Sequence, residues 1–169
     1  MAAADSIAKV QRILILGRGG SGKSTLARRL GTLTGFPVIE LDQWFWQPGL
    51  VATPRDRWVE VQNELIQAET WIIDGDLGPY DVFEPRLEVA DTVIILDFSL
   101  PRCAWRSIRR SSEGIAFWRW VIGYRRRSLP VLMATIATHA PRARVHLLRT
   151  PHAAEALLAS IWTGESRGG

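Results

Sequence analysis

Residues 17–24 read Gly17-Arg18-Gly19-Gly20-Ser21-Gly22-Lys23-Ser24, and glycines at this spacing before a Lys-Ser pair narrow the possible folds more than any other feature of the chain. Ile13-Leu14-Ile15-Leu16 precedes them, a continuous apolar run of the kind a strand buried on both faces shows. Leu26-Ala27-Arg28-Arg29-Leu30 follows and opens a helix. A strand that turns through glycines straight into a helix leaves inward-facing N–H groups at the positive end of the helix dipole, which is a cradle for anions. The pattern Gly-x-x-x-x-Gly-Lys-Ser is the P-loop in its expected strand-to-helix context, which argues against a chance glycine turn. Gly17, Gly19, Gly20, Ser21, Gly22, Lys23, Ser24 and Thr25 are therefore expected to hold a nucleotide. Lys23 would reach the β/γ-phosphates and the Ser24 hydroxyl would ligate Mg²⁺.

Apolar strands and helical patterns alternate along the rest of the chain. Val38 to Leu41 reads as a second strand ending at Asp42, followed by an aromatic loop, Gln43 to Gly49. Thr53-Pro54 reads as an N-cap and first turn of a helix running to about Glu69. Trp71 to Asp74 is a third strand and Thr92 to Asp97 a fourth, with an irregular segment containing Gly78, Pro79 and Pro85 between them. Ser99 and Pro101 open a helix, a break at 111–114 leads to an aromatic helix, and Leu129 to Ala140 continues helical beyond a bend at Pro130. Ala143 to Arg149 is a fifth strand, Ala153 to Trp162 a last helix, and 163–169 is expected to fray. Continuous rather than alternating apolar strands call for a parallel sheet covered on both faces, with ligands at the strand carboxyl ends. Gly17, Asp42, Asp74 and Asp97 all fall at that edge.

With 47% hydrophobic and 22% charged residues over 169 positions, the chain can bury an ordinary core, and one domain over 1–169 is expected. Cys103 is its one cysteine, so neither a disulfide framework nor a zinc cluster is available and a reducing cytoplasm is the expected setting. The start Met1-Ala2-Ala3-Ala4-Asp5-Ser6 does not read as a signal peptide, and no apolar stretch reaches the roughly 20 residues of a transmembrane helix. The formal charge of +4 favours an anionic partner, and its position is informative: eight arginines against the single acid Glu113 lie between Ser99 and Arg127.

Four segments together, the P-loop, Leu41-Asp42 with Phe45-Trp46-Gln47-Pro48-Gly49, Trp71-Ile72-Ile73-Asp74-Gly75, and Ala90 to Asp97, resemble the adenylate-kinase-like P-loop proteins often labelled DNA topology modulation proteins. That resemblance covers about Ile13 to Ile161. It implies a three-layer α/β fold of the nucleoside-monophosphate-kinase type, a five-stranded parallel sheet in the order 2-3-1-4-5, ATP as donor and a small arginine-bearing lid over about 99–128. It does not extend to the adenylate-kinase acceptor motif Asp-Gly-Phe-Pro-Arg, where this chain has Asp74-Gly75-Asp76-Leu77.

The residues expected to carry chemistry follow. Asp74 ends an apolar strand and would join Ser24 on Mg²⁺, or would serve only the turn before Gly75. Asp42 would orient an acceptor hydroxyl or act as base, or would cap a loop. Asp97 reads as an organiser of the turn before the next helix. Trp44, Phe45 and Trp46 either stack on an acceptor or fill the core. Arg106, Arg109 and Arg110 would face Arg125 to Arg127 across a lid, with Arg126 on the nucleotide, and neutralise the transferring phosphate, or form a solvated basic face. The expected function is transfer of the γ-phosphate of ATP to a small acceptor, the alternatives being a nucleotide-gated regulator that binds DNA or another anionic partner and a slow NTPase.

Overall fold

The computed structural model describes residues 10–108 and 114–165. In chain order the elements are β1 (Arg12–Gly17), α1 (Lys23–Thr34), β2 (Val38–Glu40), α2 (Asp42–Phe45), β3 (Trp46–Gln47), β4 (Val51–Ala52), α3 (Arg55–Leu65), β5 (Trp71–Asp74), α4 (Glu84–Leu87), β6 (Thr92–Leu96), α5 (Leu100–Ile108), α6 (Ile115–His139), β7 (Arg144–Leu148) and α7 (Pro151–Glu165). Five strands form one parallel sheet in the order β2-β5-β1-β6-β7. Counting only the strands of this sheet, that is the expected 2-3-1-4-5.

The sheet is parallel and covered on both faces because its strands carry no polar face. In β1, Ile13 and Ile15 pack into one layer with Leu26, Ala27 and Leu30 of α1, while Leu14 and Leu16 enter the other with Trp58 of α3 and Leu132 and Ile136 of α6. Successive side chains of a strand point to opposite faces, so one short apolar run supplies two cores. Each such fully buried side chain contributes roughly 1.5–3 kcal/mol. The register sets Ile15 and Glu40 level with Asp74, and Gly17 level with Leu96, so the carboxyl edge of the sheet presents the P-loop and an acidic row together.

Several local expectations change. Thr53 does not cap α3: its hydroxyl and amide both donate to the Phe45 carbonyl, which closes the β3–β4 hairpin, and Pro54 takes the cap position. The aromatic loop is thus a helical turn followed by a two-stranded hairpin, with Leu50 at φ 58° in its bend. The helix expected to reach Glu69 stops at Leu65, and the last helix continues through Glu165 instead of fraying from 163. Pro130 lies inside the uninterrupted α6. No helix among the described residues is long and apolar enough to cross a membrane.

Candidate active site

The turn between β1 and α1 depends on its glycines. Gly17, Gly20 and Gly22 have φ of 139°, 74° and 97°, backbone that L side chains rarely adopt. Gly17 is further pinned by its neighbour strand, since a Cβ there would lie 2.5 Å from the Leu96 carbonyl oxygen. A Cβ on Gly19 would meet the Phe117 ring at 2.7 Å, and one on Gly20 would meet the Cys103 carbonyl at 2.3 Å. The start of α6 and the middle of α5 therefore sit directly against the loop. Lys23 folds back along it, its Nζ donating to the carbonyls of Gly17 at 3.0 Å and Arg18 at 3.3 Å.

A cavity of about 590 Å³ opens from this loop. It is lined by Gly19, Gly20, Gly22, Lys23, Ser24, Ser107, Phe117 and Trp120 together with Asp42, Trp46, Asp74, Gly75, Asp76, Leu77, Gly78 and Tyr80. The fold thus brings together Lys23, Ser24, Asp42 and Asp74, four of the residues singled out from sequence. Gly17, Ser21, Thr25 and Arg126 are not among the lining residues: Ser21 is buried beneath the loop, and Thr25 and Arg126 are exposed. Arg106 lies on α5, and Arg109 and Arg110 fall outside the described residues. The aromatic trio separates: Phe45 is core, Trp46 lines the cavity and Trp44 is 54% exposed.

Asp74 is buried, and burial pushes its carboxyl above the ordinary range. Lys23 and a hydrogen bond from Ser24 oppose that rise, while Glu40 and Asp42 add to it. Its Oδ1 is buried with no hydrogen-bond partner. An orphaned carboxylate oxygen beside a serine hydroxyl is a donor set for a hard, oxygen-seeking cation, so these residues fit Mg²⁺. Among the described residues no group of three His, Cys, Asp or Glu could hold a metal by itself, so such an ion would rely on phosphate oxygens as well.

Sequence reasoning missed Asp76. Burial raises its carboxyl to about 6, against the nearby Lys23 charge and with Asp81 adding to the rise. Its Oδ1 accepts from the Gly78 amide at 3.0 Å and its Oδ2 from the Tyr124 hydroxyl at 3.5 Å. The sequence shows the second acid of Asp74-Gly75-Asp76 without assigning it a role. The loop carrying it is held from beneath by a buried cluster in which Arg86 donates to Asp81 at 2.6 Å, Gln62 at 2.6 Å and the Val82 carbonyl at 2.8 Å. Asp81 in turn accepts from the amides of Leu77 and Val82 at 3.0 and 2.8 Å.

Phe117 and Trp120 were also missed, although with Tyr124 they lie on one face of α6 at spacings of three and four. Tyr124 is buried under the ring-stacking Arg18, whose guanidinium lies 5.7 Å from the Tyr124 centroid and donates to the Phe98 carbonyl at 3.3 Å. Asp97 does more than organise a turn. Buried at the end of β6, it accepts from Arg125 Nε at 2.7 and 3.0 Å, and its carbonyl accepts from Arg125 Nη2, so it clamps α6 onto the sheet.

The fold is the α/β P-loop fold of the nucleoside-monophosphate-kinase type. Solved structures that share it include a sugar kinase from Janibacter sp. HTCC2649 (21% identity, TM-score 0.57, 92% of this chain and 94% of that one). Shikimate kinase from Acinetobacter baumannii in complex with shikimate superimposes at a TM-score of 0.65 with 17% identity over 94% of both chains. A gluconokinase from Sinorhizobium meliloti 1021 does so at 0.52 with 17% identity over 93% of this chain and 96% of that one. No family model and no curated sequence matches the chain. The neighbours support a P-loop kinase fold and leave the DNA topology modulation label without support.

Proposed function

We propose that the chain is an ATP- and Mg²⁺-dependent phosphotransferase that moves the γ-phosphoryl group to a hydroxyl of a small acceptor. The observation that carries this reading is the single cavity in which the glycine loop and Lys23 face Asp42, Asp74 and Asp76. Phosphoryl transfer is mainly positioning and charge neutralisation, and it needs donor and acceptor in one enclosed space. The structural neighbours, named as kinases for sugars, shikimate and gluconate, point the same way.

In this reading the loop amides and Lys23 hold the phosphates. The acceptor oxygen bonds to the γ-phosphorus as the bond to the β–γ bridging oxygen breaks; ADP leaves and the hydroxyl proton passes to Asp42. Mg²⁺, held by Ser24 and Asp74, would screen the phosphate charge. Phe117 and Trp120 keep water from the loop side, and Arg106, Arg109, Arg110 and Arg126 of the 99–128 segment supply lid cations. Calorimetry with Mg-ATP and a turnover assay test the division of labour. Lys23→Ala should lose ATP affinity and turnover together, whereas Asp42→Asn should keep ATP affinity and lose about 10²–10⁴ in turnover. Wild-type turnover in either variant removes the assignment. Phosphate release with no phosphorylated acceptor would indicate a slow NTPase or a nucleotide-gated regulator instead.

A further inference from the structure

The cavity has a charge pattern of its own. Besides the glycine loop its lining includes Asp42, Trp46, Asp76, Leu77, Gly78 and Tyr80, and no described arginine lines it. Lys23 is the cation among the lining residues, and it is drawn to the loop by the Gly17 and Arg18 carbonyls. Two further guanidinium groups are committed elsewhere: Arg86 is wholly buried against Asp81, and Arg28 pairs with Glu40 at 3.5 Å. Trp46 and Tyr80 meet edge to face, centroids 5.8 Å apart, and line the same cavity as Asp42 and Asp76.

From this arrangement we infer that the acceptor is a hydroxylated amine, cationic at neutral pH and carrying a flat or apolar segment, and not an acid or a phosphate ester. The inference rests on the phosphotransferase reading and names its substrate class. With Lys23 on the donor phosphates and Asp74 at the Mg²⁺ site, Asp42 is left for the reacting hydroxyl and Asp76 for an opposite charge. Carboxylates facing aromatic rings recognise ammonium groups through ion pairing and the ring quadrupole together. The same walls repel a carboxylate, because like charges in a partly desolvated cavity are costly. Two of the neighbours are named for hydroxy-acids, shikimate and gluconate, so the chemistry assigned here differs from theirs while the fold is shared.

Three probes with one ring and one hydroxyl in common test it: 2-amino-1-phenylethanol, 1-phenylethane-1,2-diol and mandelate, which are cationic, neutral and anionic. Their affinities for the wild-type chain are measured by calorimetry with Mg²⁺ and a non-hydrolysable ATP analogue present. The expected order is amine, diol, acid, with at least about tenfold between the first and last. Asp76→Asn should bring the amine down to the level of the diol, with a urea unfolding curve confirming that the variant is folded. The inference is overturned if the acid binds as well as the amine, if the amine keeps its advantage in Asp76→Asn, or if no probe binds. Failure of the ATP analogue to bind would instead remove the phosphotransferase reading, and the ranking of the probes alone still decides the charge class.

Discussion

Replacing Arg86 with methionine removes the cation from a cluster that holds the Asp76-bearing loop in place. Arg86 and Asp81 are both fully buried, so the substitution leaves a carboxylate with no compensating charge. Breaking such a pair from one side costs about 3–5 kcal/mol. The amides of Leu77 and Val82 still donate to Asp81, which argues for the lower end; the Val82 carbonyl keeps the Gln62 Nε2 donor, but Gln62 Oε1 loses its own, at about 1 kcal/mol. The expected loss is about 4 kcal/mol, a fall in Tm of roughly 8–16 °C for a domain of this size. Urea unfolding followed by tryptophan fluorescence measures it, and Asp81→Asn with Arg86→Met in one chain should cost less than the sum of the single changes. A loss under about 1 kcal/mol, or simple additivity, would show that the cluster does not hold the loop by charge.

Other expectations can be checked alongside. Gly17→Ala, whose Cβ would sit 2.5 Å from a backbone oxygen at φ 139°, should prevent folding, whereas Gly35→Ala, at φ 73° with nothing within 4 Å, should cost only about 1–2 kcal/mol in the same unfolding assay. Asp76, raised to about 6 in the folded chain against about 3.9 unfolded, binds its proton more tightly when folded. Its contribution to stability is therefore present below pH 4 and lost as pH rises through 6, so Asp76→Asn should flatten this part of the pH–stability curve and be the more stable form at pH 8. Arg125→Leu leaves buried Asp97 with Arg149 at 3.9 Å as its remaining ion pair and should loosen α6, seen as faster amide exchange around Phe117 and Trp120.

What could be read from the residues was what local physics decides. The buried parallel strands announce themselves as continuous apolar runs, and the cradle as glycines at fixed spacing before Lys23 and Ser24, because positive φ and close approach leave few other residues possible. The order of the sheet came from the family resemblance. The β3–β4 hairpin was not legible, since two-residue strands have no period and Leu50 gives no sign of a positive φ. Thr53 and Pro54 imitate a helix cap when the Phe45 carbonyl, eight residues away, takes the Thr53 hydroxyl instead. Arg18 and Arg86 were invisible as buried residues because charge alone places arginine on the surface; Asp81, Gln62 and the Val82 and Phe98 carbonyls make their burial tolerable. Asp76 was in plain view beside Asp74, but its place in the cavity depends on the loop that Arg86 anchors.

The central claim is that the glycine loop and the carboxylates facing it transfer a phosphoryl group. The most direct measurement follows label from γ-phosphate-labelled ATP into a panel of amines, polyols, nucleosides, nucleoside monophosphates and hydroxy-acids, using the wild-type chain and Lys23→Ala side by side. The account predicts a labelled, phosphorylated acceptor with wild type and none with Lys23→Ala. A labelled acceptor formed equally well by both chains would contradict it, as would ATP bound by the wild type with its label released only as inorganic phosphate.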